Sequence, residues 1–576
     1  MSNSAVPEPV EASRSSSHPY QLLLLLLACG ALLYGRSLSY DFVYDDVSQI
    51  VKNPRITAWS YLPSYFSEQL WAGIQSASYY RPMLLLWMRT NHFLFGLNPV
   101  GWHAASVLLH VGATALAFAL ARRMLQSAHA ALVAAAIFML HPLQVESVVW
   151  LSAANEALAA IFIFASYLFF LKSREQASSR KRGLLLSWMT FALALLTKET
   201  AVIVPAMIVL FAFFYPVDSR RRLAPAFAAA IPYALILAGY LVIRKLVLAQ
   251  VSPSELRTDP LTALFTMPSV ALLYLEHLFV PWKLAMLYDT RYVEHLSSAG
   301  FAVPIVLLMA LAATAIWLWR KTRSAAIAIG LLWIPVHVAI PLLTLPFFRN
   351  VDLSHDRYLY VPLFGFALLI GSAWQHARES LLRNALLTSL LLVYVLTTFY
   401  QQQFWRNDAA LFAHSQQVSP GAYLAKVLDG QELALQKRYS EALPLLESSV
   451  QQHPRALAGL VVLAYTRCEM GETRTAEQLF ARALALQPES AETNYALGLC
   501  RLMHGGRFEA IPPLQVAVYH LPDNMEYRLA LGRALVLAGR KREAIGHFRV
   551  AESLAPASER PALHGYIQRL SAVTGQ

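Results

Sequence analysis

The sequence Tyr40-Asp-Phe-Val-Tyr-Asp-Asp-Val-Ser-Gln-Ile-Val-Lys-Asn-Pro54 places three carboxylates, Asp41, Asp45 and Asp46, directly after the apolar segment Tyr20 to Leu38. An apolar segment of about 20 residues is able to span a bilayer. Neighbouring carboxylates repel when both are ionised, so one of them gains a raised pKa or recruits a cation. Either outcome suits a general base, and we expect Asp45 or Asp46 to take a proton from a hydroxyl group. The alternative is that the acidic pair only keeps a loop at the membrane edge hydrated.

The whole chain is too apolar for an ordinary soluble protein. Of its 576 residues, 57% are hydrophobic and 14% are charged, and the mean hydropathy is +0.44. These values predict an all-α polytopic membrane protein. The 47 Lys and Arg residues outnumber 35 Asp and Glu. They cluster in the short gaps between apolar segments, where they report membrane orientation and not nucleic-acid binding.

About eleven apolar segments are predicted to cross the membrane fully. They are residues 20–38, 99–121, 128–146, 150–171, 183–197, 200–216, 223–243, 302–320, 324–346, 357–373 and 384–400. Basic clusters at alternate gaps, such as Arg122-Arg123 and Arg220-Arg221-Arg222, place those gaps on the cytoplasmic side. The basic loops before residue 244 and those after residue 300 must all lie on the cytoplasmic side. The stretch between them, residues 244–300, must therefore contain an even number of crossings. We therefore expect Met267 to Tyr288 to be re-entrant or interfacial, or to pair with a second crossing.

The domain boundaries follow from composition. Residues 1–18 are polar and predict a disordered tail. Residues 19–400 form the predicted transmembrane domain, and its first outer loop, 39–98, mixes aromatic with polar residues as interfacial helices do. Residues 401–420 are a predicted linker. An odd number of crossings places the remaining residues, 421–576, on the outer side.

The C-terminal part repeats every 34 residues. Prolines recur at positions 420, 454, 488, 522 and 556, and glycines and alanines keep the same register. This is the tetratricopeptide period, in which each repeat is a helix pair. Four repeats, ending at Pro454, Pro488, Pro522 and Pro556, and a capping helix near Pro561 to Ala572 are predicted to form an α-solenoid. Its groove implies a protein or peptide partner.

The chain has three cysteines, Cys29, Cys468 and Cys500. Their spacing matches neither a metal site nor a disulfide framework. We expect Cys468 and Cys500 to be buried helix residues and not a bonded pair.

Several ionisable residues gather on the outer face by the same count of crossings. Charged groups at membrane depth are costly, so each needs a function or a partner. Lys198 either binds a lipid phosphate or forms a mutually neutralising couple with Glu199. His141 and Glu146 cap the hairpin between the third and fourth spans, where both a site role and a structural role are open for His141.

Two arginines, Arg81 and Arg357, complete the cations of this face. Arginine suits bidentate capture of phosphate, although Arg81 is also suited to anchoring a helix at the interface. The set predicts transfer of a sugar carried on a lipid phosphate: an Asp deprotonates the acceptor hydroxyl, and cations stabilise the departing phosphate. The predicted phosphate-binding residues are Lys198, Arg357, Arg81 and His141. Asp45 and Asp46 are able to hold Mg²⁺ or Mn²⁺, but no further carboxylate cluster accompanies them, so we expect no obligatory metal.

A series of short motifs resembles one known family. They are Phe42-Val-Tyr-Asp-Asp46 with Asn53-Pro54, Tyr80-Arg-Pro82, Gly96-Leu-Asn-Pro99, Leu109-His110, His141-Pro142 with Glu146, Lys198-Glu199, and Asp356-Arg-Tyr-Leu-Tyr-Val-Pro362, followed by the repeats. In this order they resemble the transmembrane and tetratricopeptide-repeat-containing O-mannosyltransferases and their bacterial relatives, which belong to the C-type (GT-C) glycosyltransferase superfamily.

The resemblance implies a polyprenyl-phosphate-linked sugar donor and inverting transfer to a protein hydroxyl without an obligatory metal. By position, Asp45 and Asp46 match the family's acidic motif. The positions that match its outer-face polar residues are His141, Glu146, Lys198, Glu199 and Arg357. Where relatives tend to have Gly-Arg-x-Asp, this chain has Ala153-Ala-Asn-Glu156, so the basic residue is missing and Glu156 alone remains. The identity of the sugar is therefore left open.

Two functions remain in competition at this stage. One is a glycosyltransferase that modifies a Ser or Thr hydroxyl of an exported protein held by the repeats. The other is a non-catalytic membrane-tethered scaffold whose repeats recruit an envelope protein. A transporter fits less well, because the ionisable residues do not line a path through the membrane. Richness in Ala, Leu and Arg favours a bacterial inner membrane with the site facing the periplasm, although a lumen is equally consistent.

Overall fold

The structure of the chain is a computed structural model. It describes residues 18–72, 79–175, 178, 180–216, 221–249, 258–347, 353–555 and 559–574. Residues 1–17 of the predicted tail, Arg220 of a basic cluster and Pro556 of the last repeat lie outside the described residues.

The described residues form helices and short helical turns, with no β-strand among them. The helices of the first 402 residues are α1 (His18–Tyr34), α2 (Leu62–Ser67), α3 (Pro82–Phe95), α4 (Pro99–Leu125), α5 (Ala128–Leu140), α6 (Gln144–Val149), α7 (Asn155–Glu175), α8 (Arg180–Thr197), α9 (Val204–Phe214), α10 (Leu223–Leu248), α11 (Pro260–Phe279), α12 (Ala299–Thr322), α13 (Ala325–Leu343), α14 (Leu363–His376) and α15 (Leu381–Gln402).

All eleven predicted spans coincide with helices. Among the described residues, eight helices are long and apolar enough to cross a membrane, namely seven of the predicted spans and α11. The other four predicted spans are α5, α8, α9 and α14, which are shorter or begin with basic residues. The predicted all-α membrane bundle is confirmed, but fewer long apolar helices support it than the eleven full spans expected.

Helix α11 occupies the region predicted to be re-entrant or interfacial. The N–H of Thr258, just before the helix, donates to the carbonyl of Pro346 over 3.3 Å. At the other end, His277 bonds Asp356 over 2.8 Å. Both partners belong to the connection between α13 and α14, so this one connection contacts both ends of α11. By length and composition α11 is a candidate span, and the re-entrant or interfacial interpretation stays a prediction.

The connections after α1, α5, α8, α11 and α13 meet on one side of the bundle, which we call the loop face. The first of them is fixed by its own sequence. Asn53 caps the turn at Pro54 by accepting the Arg55 N–H over 3.0 Å, as Asn-Pro favours. The buried Arg55 guanidinium then donates to the carbonyls of Gln69 and Ser64. These bonds hold the end of the acidic stretch against α2 and the residues that follow it.

The C-terminal part is built of helix pairs, as its period predicts. After α16 (Asp408–Val418), the helices are α17 (Tyr423–Leu435), α18 (Tyr439–Gln452), α19 (Leu457–Glu469), α20 (Thr473–Leu486), α21 (Ala491–Met503), α22 (Ile511–His520), α23 (Met525–Leu537), α24 (Lys541–Leu554) and α25 (Arg560–Thr574). The first eight form four antiparallel pairs, and α25 lies where the capping helix was predicted.

The residues in register have distinct roles in each repeat. Ala442, Ala476, Ala510 and Ala544 are fully buried where the two helices of a pair meet. Gly471, Gly505 and Gly539 have φ between 81° and 85°, a left-handed conformation that glycine adopts without strain. The first repeat has Lys437 at this position, with φ 60°. Its backbone therefore adopts a conformation that costs most residues about 1 kcal/mol or more.

The two cysteines of the repeats are buried helix residues, as expected, but the expectation that they are not a bonded pair is wrong. Cys468 in α19 and Cys500 in α21 form a disulfide between neighbouring repeats, with a Cα–Cα distance of 5.9 Å. Both cysteines are buried. The spacing alone could not show this, because the two residues meet only when the repeats stack. A disulfide is typical of proteins that face an oxidising compartment.

The disulfide is expected to stabilise the repeats measurably. It closes a loop with a sequence separation of 32 residues, and loop-closure entropy predicts a contribution of about 3–4 kcal/mol to the free energy of unfolding. Reductant should therefore lower the unfolding temperature of the wild type and leave the Cys468→Ala/Cys500→Ala variant unchanged. Detection of both thiols as reduced in protein isolated without reductant would contradict this assignment.

Candidate active site

The acidic stretch lies at the centre of the loop face, in a strained turn. Tyr44 has φ 51°, which is unusual for a residue with a bulky side chain. Its N–H donates to the carboxylate of Asp408, at the start of α16, over 2.7 Å. The Asp41 N–H donates to the Arg406 carbonyl over 3.1 Å. The linker to the repeats therefore holds the turn that presents Asp45 and Asp46.

The two acids have different environments. Asp46 is completely buried, and its Oδ1 accepts hydrogen bonds from the N–H (2.7 Å) and the hydroxyl (2.5 Å) of Ser152. Its Oδ2 accepts the Val43 N–H over 3.2 Å. Asp45 is only partly buried. Asp46 thus fastens the turn to the connection between α6 and α7, whereas the Asp45 side chain is partly exposed.

Burial raises the pKa of Asp46 from 3.8 to about 7. The folded chain then binds more protons than the unfolded chain between about pH 4 and pH 7, so this residue's contribution to stability decreases as pH rises through that window. An Asp46→Asn variant lacks this titration. We expect the difference in unfolding temperature, wild type minus variant, to decrease from pH 4 to pH 7. A difference that increases over that range would mean that the Ser152 donors hold Asp46 ionised.

Arg357 lies beside the acidic turn and pairs with Glu146. Its guanidinium donates to Glu146 Oε1 over 2.6 Å, and its backbone N–H donates to Oε2 over 3.0 Å. The guanidinium carbon lies 5.0 Å from the centre of the Trp150 ring, and the Tyr44 ring lies 5.9 Å from the same ring. In the segment 150–152, Trp150 therefore contacts Arg357 and Ser152 bonds Asp46.

The other two cations, Lys198 and Arg81, each pair with a carboxylate from a distant part of the sequence. Lys198 bonds Glu156, and both side chains are only 4% exposed. Arg81 donates through Nε and a terminal nitrogen to one oxygen of Glu199, over 2.9 and 2.8 Å. The hypothesis of a Lys198–Glu199 couple is therefore wrong, since each of these two neighbours in sequence pairs with a different helix connection. Glu156, which was left without a basic neighbour in the sequence, has Lys198 as its partner.

Burial lowers the pKa of the Lys198 amine well below its usual range, and the charges of Arg81 and Arg357 lower it further. The ammonium form therefore depends on the carboxylates around it. Three cations and three carboxylates, Glu146, Glu156 and Glu199, lie together in this one region. One oxygen of Glu199, Oε1, is buried and has no hydrogen-bond partner in the described part of the chain.

His141 does not fit the predicted phosphate-binding role. It is fully buried, and its Nδ1 accepts the Leu143 N–H over 3.3 Å. That bond leaves the proton on Nε2, which donates to the Leu278 carbonyl over 3.1 Å. Both ring nitrogens are therefore occupied within the protein, and His141 joins the end of α5 to the end of α11.

The sequence reasoning missed a second hydrogen-bonded group. Asp356 accepts His277 Nδ1 over 2.8 Å and the Tyr288 hydroxyl over 2.7 Å, and it precedes Arg357. Asp356 begins the motif Asp356 to Pro362, but its distance in sequence from His277 and Tyr288 does not indicate that these residues meet. No group of three or more His, Cys, Asp or Glu side chains in the described ranges is arranged to hold a metal ion.

The fold and the site define an integral membrane protein with a polar loop face and a helical-repeat domain. Residues 80–244 match the family described as dolichyl-phosphate-mannose-protein mannosyltransferase, and residues 433–500 match the tetratricopeptide repeat. The chain is 24% identical to the mouse protein O-mannosyl-transferase TMTC3 over 82% of this chain and 55% of that protein. It is 33% identical to Drosophila melanogaster protein O-mannosyl-transferase Tmtc1 over 34% of this chain and 23% of that protein.

These matches confirm the resemblance that the motifs predicted, to the transmembrane and tetratricopeptide-repeat-containing O-mannosyltransferases. The chain spans about half the length of the TMTC3 relative. Among solved structures, ArnT from Cupriavidus metallidurans bound to undecaprenyl phosphate aligns over 92% of this chain and 80% of that one, with 14% identity and a TM-score of 0.36. The MamA protein aligns over 27% of this chain and 84% of that one, with 19% identity and a TM-score of 0.23.

Proposed function

We propose that this protein is a membrane glycosyltransferase that moves a sugar from a polyprenyl-phosphate-linked donor to a hydroxyl of a polypeptide held by the repeats. The observation that carries the proposal is the arrangement around residues 150–152. Ser152 fixes Asp46, and Trp150 contacts the guanidinium of Arg357. One short segment thereby holds both the turn that presents Asp45, the carboxylate for the acceptor, and a cation for the phosphate. The mannosyltransferase relatives support this reaction class.

In the proposed reaction, Asp45 accepts the proton of the acceptor hydroxyl as its oxygen attacks the anomeric carbon. The bond from that carbon to the phosphate oxygen breaks, and the electron pair leaves with the polyprenyl phosphate. One displacement inverts the anomeric configuration. Asp46 is a positioning residue, because it holds the turn and does not face the substrate. A developing charge on phosphate is stabilised most by preorganised donors in a site shielded from water.

Arg357, Arg81 and Lys198 are the proposed phosphate-binding residues. Each is already paired with a carboxylate in this structure. In the proposed reaction the donor phosphate replaces carboxylate oxygens as the partner of the cations, so these ion pairs separate when the donor binds.

We place the site on the outer side of the membrane, which is the periplasm if the protein is bacterial. The basic clusters support this orientation, as does the disulfide between Cys468 and Cys500, because such bonds persist in oxidising compartments. The linker joins the repeats to the acidic turn through Asp408 and Arg406. The repeats and the site must therefore share a side.

The test is transfer by the purified full chain in lipid nanodiscs. Polyprenyl-phosphate mannose and a Ser/Thr-containing peptide are supplied, and both released polyprenyl phosphate and peptide mass are measured. The proposal predicts equal amounts of released lipid phosphate and glycosylated peptide. Peptide binding without release of lipid phosphate, with mannose and other sugars alike, would instead support the non-catalytic scaffold.

A further inference from the structure

A second cavity lies between the membrane domain and the first repeat. Its volume is about 360 Å³, within the range of ligand sites, which is about 300–1,000 Å³. One wall is the segment 288–294, which follows α11. The other is formed by residues 421–423, at the start of α17, and by Gln452 and His453, at the end of α18.

The cavity reaches the candidate active site through one side chain. Tyr288 lines the cavity, and its hydroxyl donates to Asp356 over 2.7 Å. Asp356 directly precedes Arg357, the cation that contacts Trp150. Tyr288 and Asp356 therefore connect the wall of the cavity to Arg357.

The lining of the cavity is polar and charged. Asp289 and Arg291 form an ion pair of 3.3 Å, and Glu294 adds a second carboxylate, which is exposed. A Cβ on Gly421 would lie 1.9 Å from a carboxylate oxygen of Asp289, so glycine is what lets the two walls approach here. Charged walls do not suit an acyl chain, whereas they suit the backbone amides and polar side chains of a polypeptide.

The repeats contact the loop face at both ends. The first repeat forms the cavity, and in the fourth repeat Glu526 of α23 pairs with Lys52, over 2.7 Å. Lys52 belongs to the same acidic stretch as Asp45. A polypeptide lying along the repeats therefore runs between two points on the loop face, with the cavity at one of them. Superhelical repeats of this kind typically bind peptides.

We propose that this cavity binds a segment of the acceptor polypeptide and directs it from the first repeat towards the active site. The inference rests on the proposed function for the identity of the acceptor, but binding is measurable without transfer. Glu294 lines the cavity, and its exposed neighbour His295 does not. This pair supplies a matched test position and control.

A photoreactive amino acid is placed at position 294 or at position 295 of the full chain in nanodiscs, and a fluorescent Ser/Thr-containing peptide is added. Crosslinking is expected from position 294 and not from position 295. Glu294→Trp, which fills the cavity, should weaken peptide binding by about tenfold, the effect of losing about 1.4 kcal/mol, whereas His295→Trp should not. Equal crosslinking from both positions, or unchanged peptide affinity in Glu294→Trp, would overturn the inference.

A photoreactive polyprenyl-phosphate probe is used in parallel. Capture of this probe at position 294 in place of the peptide would also overturn the inference, because the cavity would then be a lipid site. If the peptide crosslinks at position 294 but the protein transfers no sugar, the proposed function is refuted. The peptide site still stands in that case.

Discussion

Replacing Asp45 by Asn is expected to lower kcat for sugar transfer by about 10²–10⁴-fold, the usual contribution of a general base. Asn has nearly the same shape but does not accept the proton of the acceptor hydroxyl. Because Asp45 is not the residue that fastens the turn, the fold should persist and KM for the donor should change little. The measurement is the rate of polyprenyl phosphate release with peptide present, together with the unfolding temperature.

Asp41→Asn is the matched control, since Asp41 lies in the same stretch and is exposed. It should leave kcat unchanged. Asp46→Asn should lower both kcat and stability, because an amide NH2 group in place of Oδ2 does not accept the Val43 N–H, whereas Oδ1 still accepts the bonds from Ser152. Wild-type kcat in Asp45→Asn would remove Asp45 as the base. If Asp46→Asn loses activity without a change in stability while Asp45→Asn remains active, Asp46 is the general base.

Replacing Glu156 by Gln is expected to destabilise the protein by about 3–5 kcal/mol, the cost of leaving a buried charge without its partner. Lys198 and Glu156 are both 4% exposed, so water does not replace the lost carboxylate. Removing the charge as well, in Glu156→Gln/Lys198→Met, should restore much of the stability. It should not restore donor turnover, because Lys198 is then absent from the phosphate site. Denaturant or thermal unfolding measures the first effect, and lipid phosphate release measures the second.

The control is an exposed ion pair of the same protein. Glu526 pairs with Lys52 at the surface, where its side chain is 45% exposed, so Glu526→Gln should cost less than about 1 kcal/mol. Equal losses of stability in Glu156→Gln and Glu526→Gln would show that the Lys198–Glu156 pair is hydrated and does not carry the effect assigned to it.

The elements of this fold were largely readable from the sequence because their signals are local. Apolar runs predicted the positions of the membrane helices, and the recurrence of proline, glycine and alanine predicted the helix pairs. The segment around α11 shows the limit of such signals. Length and composition allow a crossing, but they do not reveal that Thr258 and His277 bond both ends of the helix to the connection between α13 and α14.

The site could be predicted only in part, because ion pairs between residues far apart in the sequence cannot be inferred from their spacing. Lys198 and Glu199 are adjacent, yet their partners are Glu156 and Arg81, 42 and 118 positions away. The predicted cations Arg81, Lys198 and Arg357 do lie in one region with Glu146, Glu156 and Glu199, whereas both ring nitrogens of His141 are bonded within the protein. The disulfide was missed for the same reason, since Cys468 and Cys500 meet only through the stacking of two repeats.

The central claim is that the acidic turn and the repeats form one assembly on the outer side of the membrane. Lys52→Cys and Glu526→Cys, each made in a Cys29→Ser background, place thiols on the two sides of the 2.7 Å contact. In intact cells both should react with a membrane-impermeant maleimide, and the double variant should be crosslinked by a short impermeant bifunctional reagent. Labelling of only one of the two positions would contradict the claim that the acidic turn and the repeats share a side. Labelling of neither position until the membrane is permeabilised would contradict their location on the outer side.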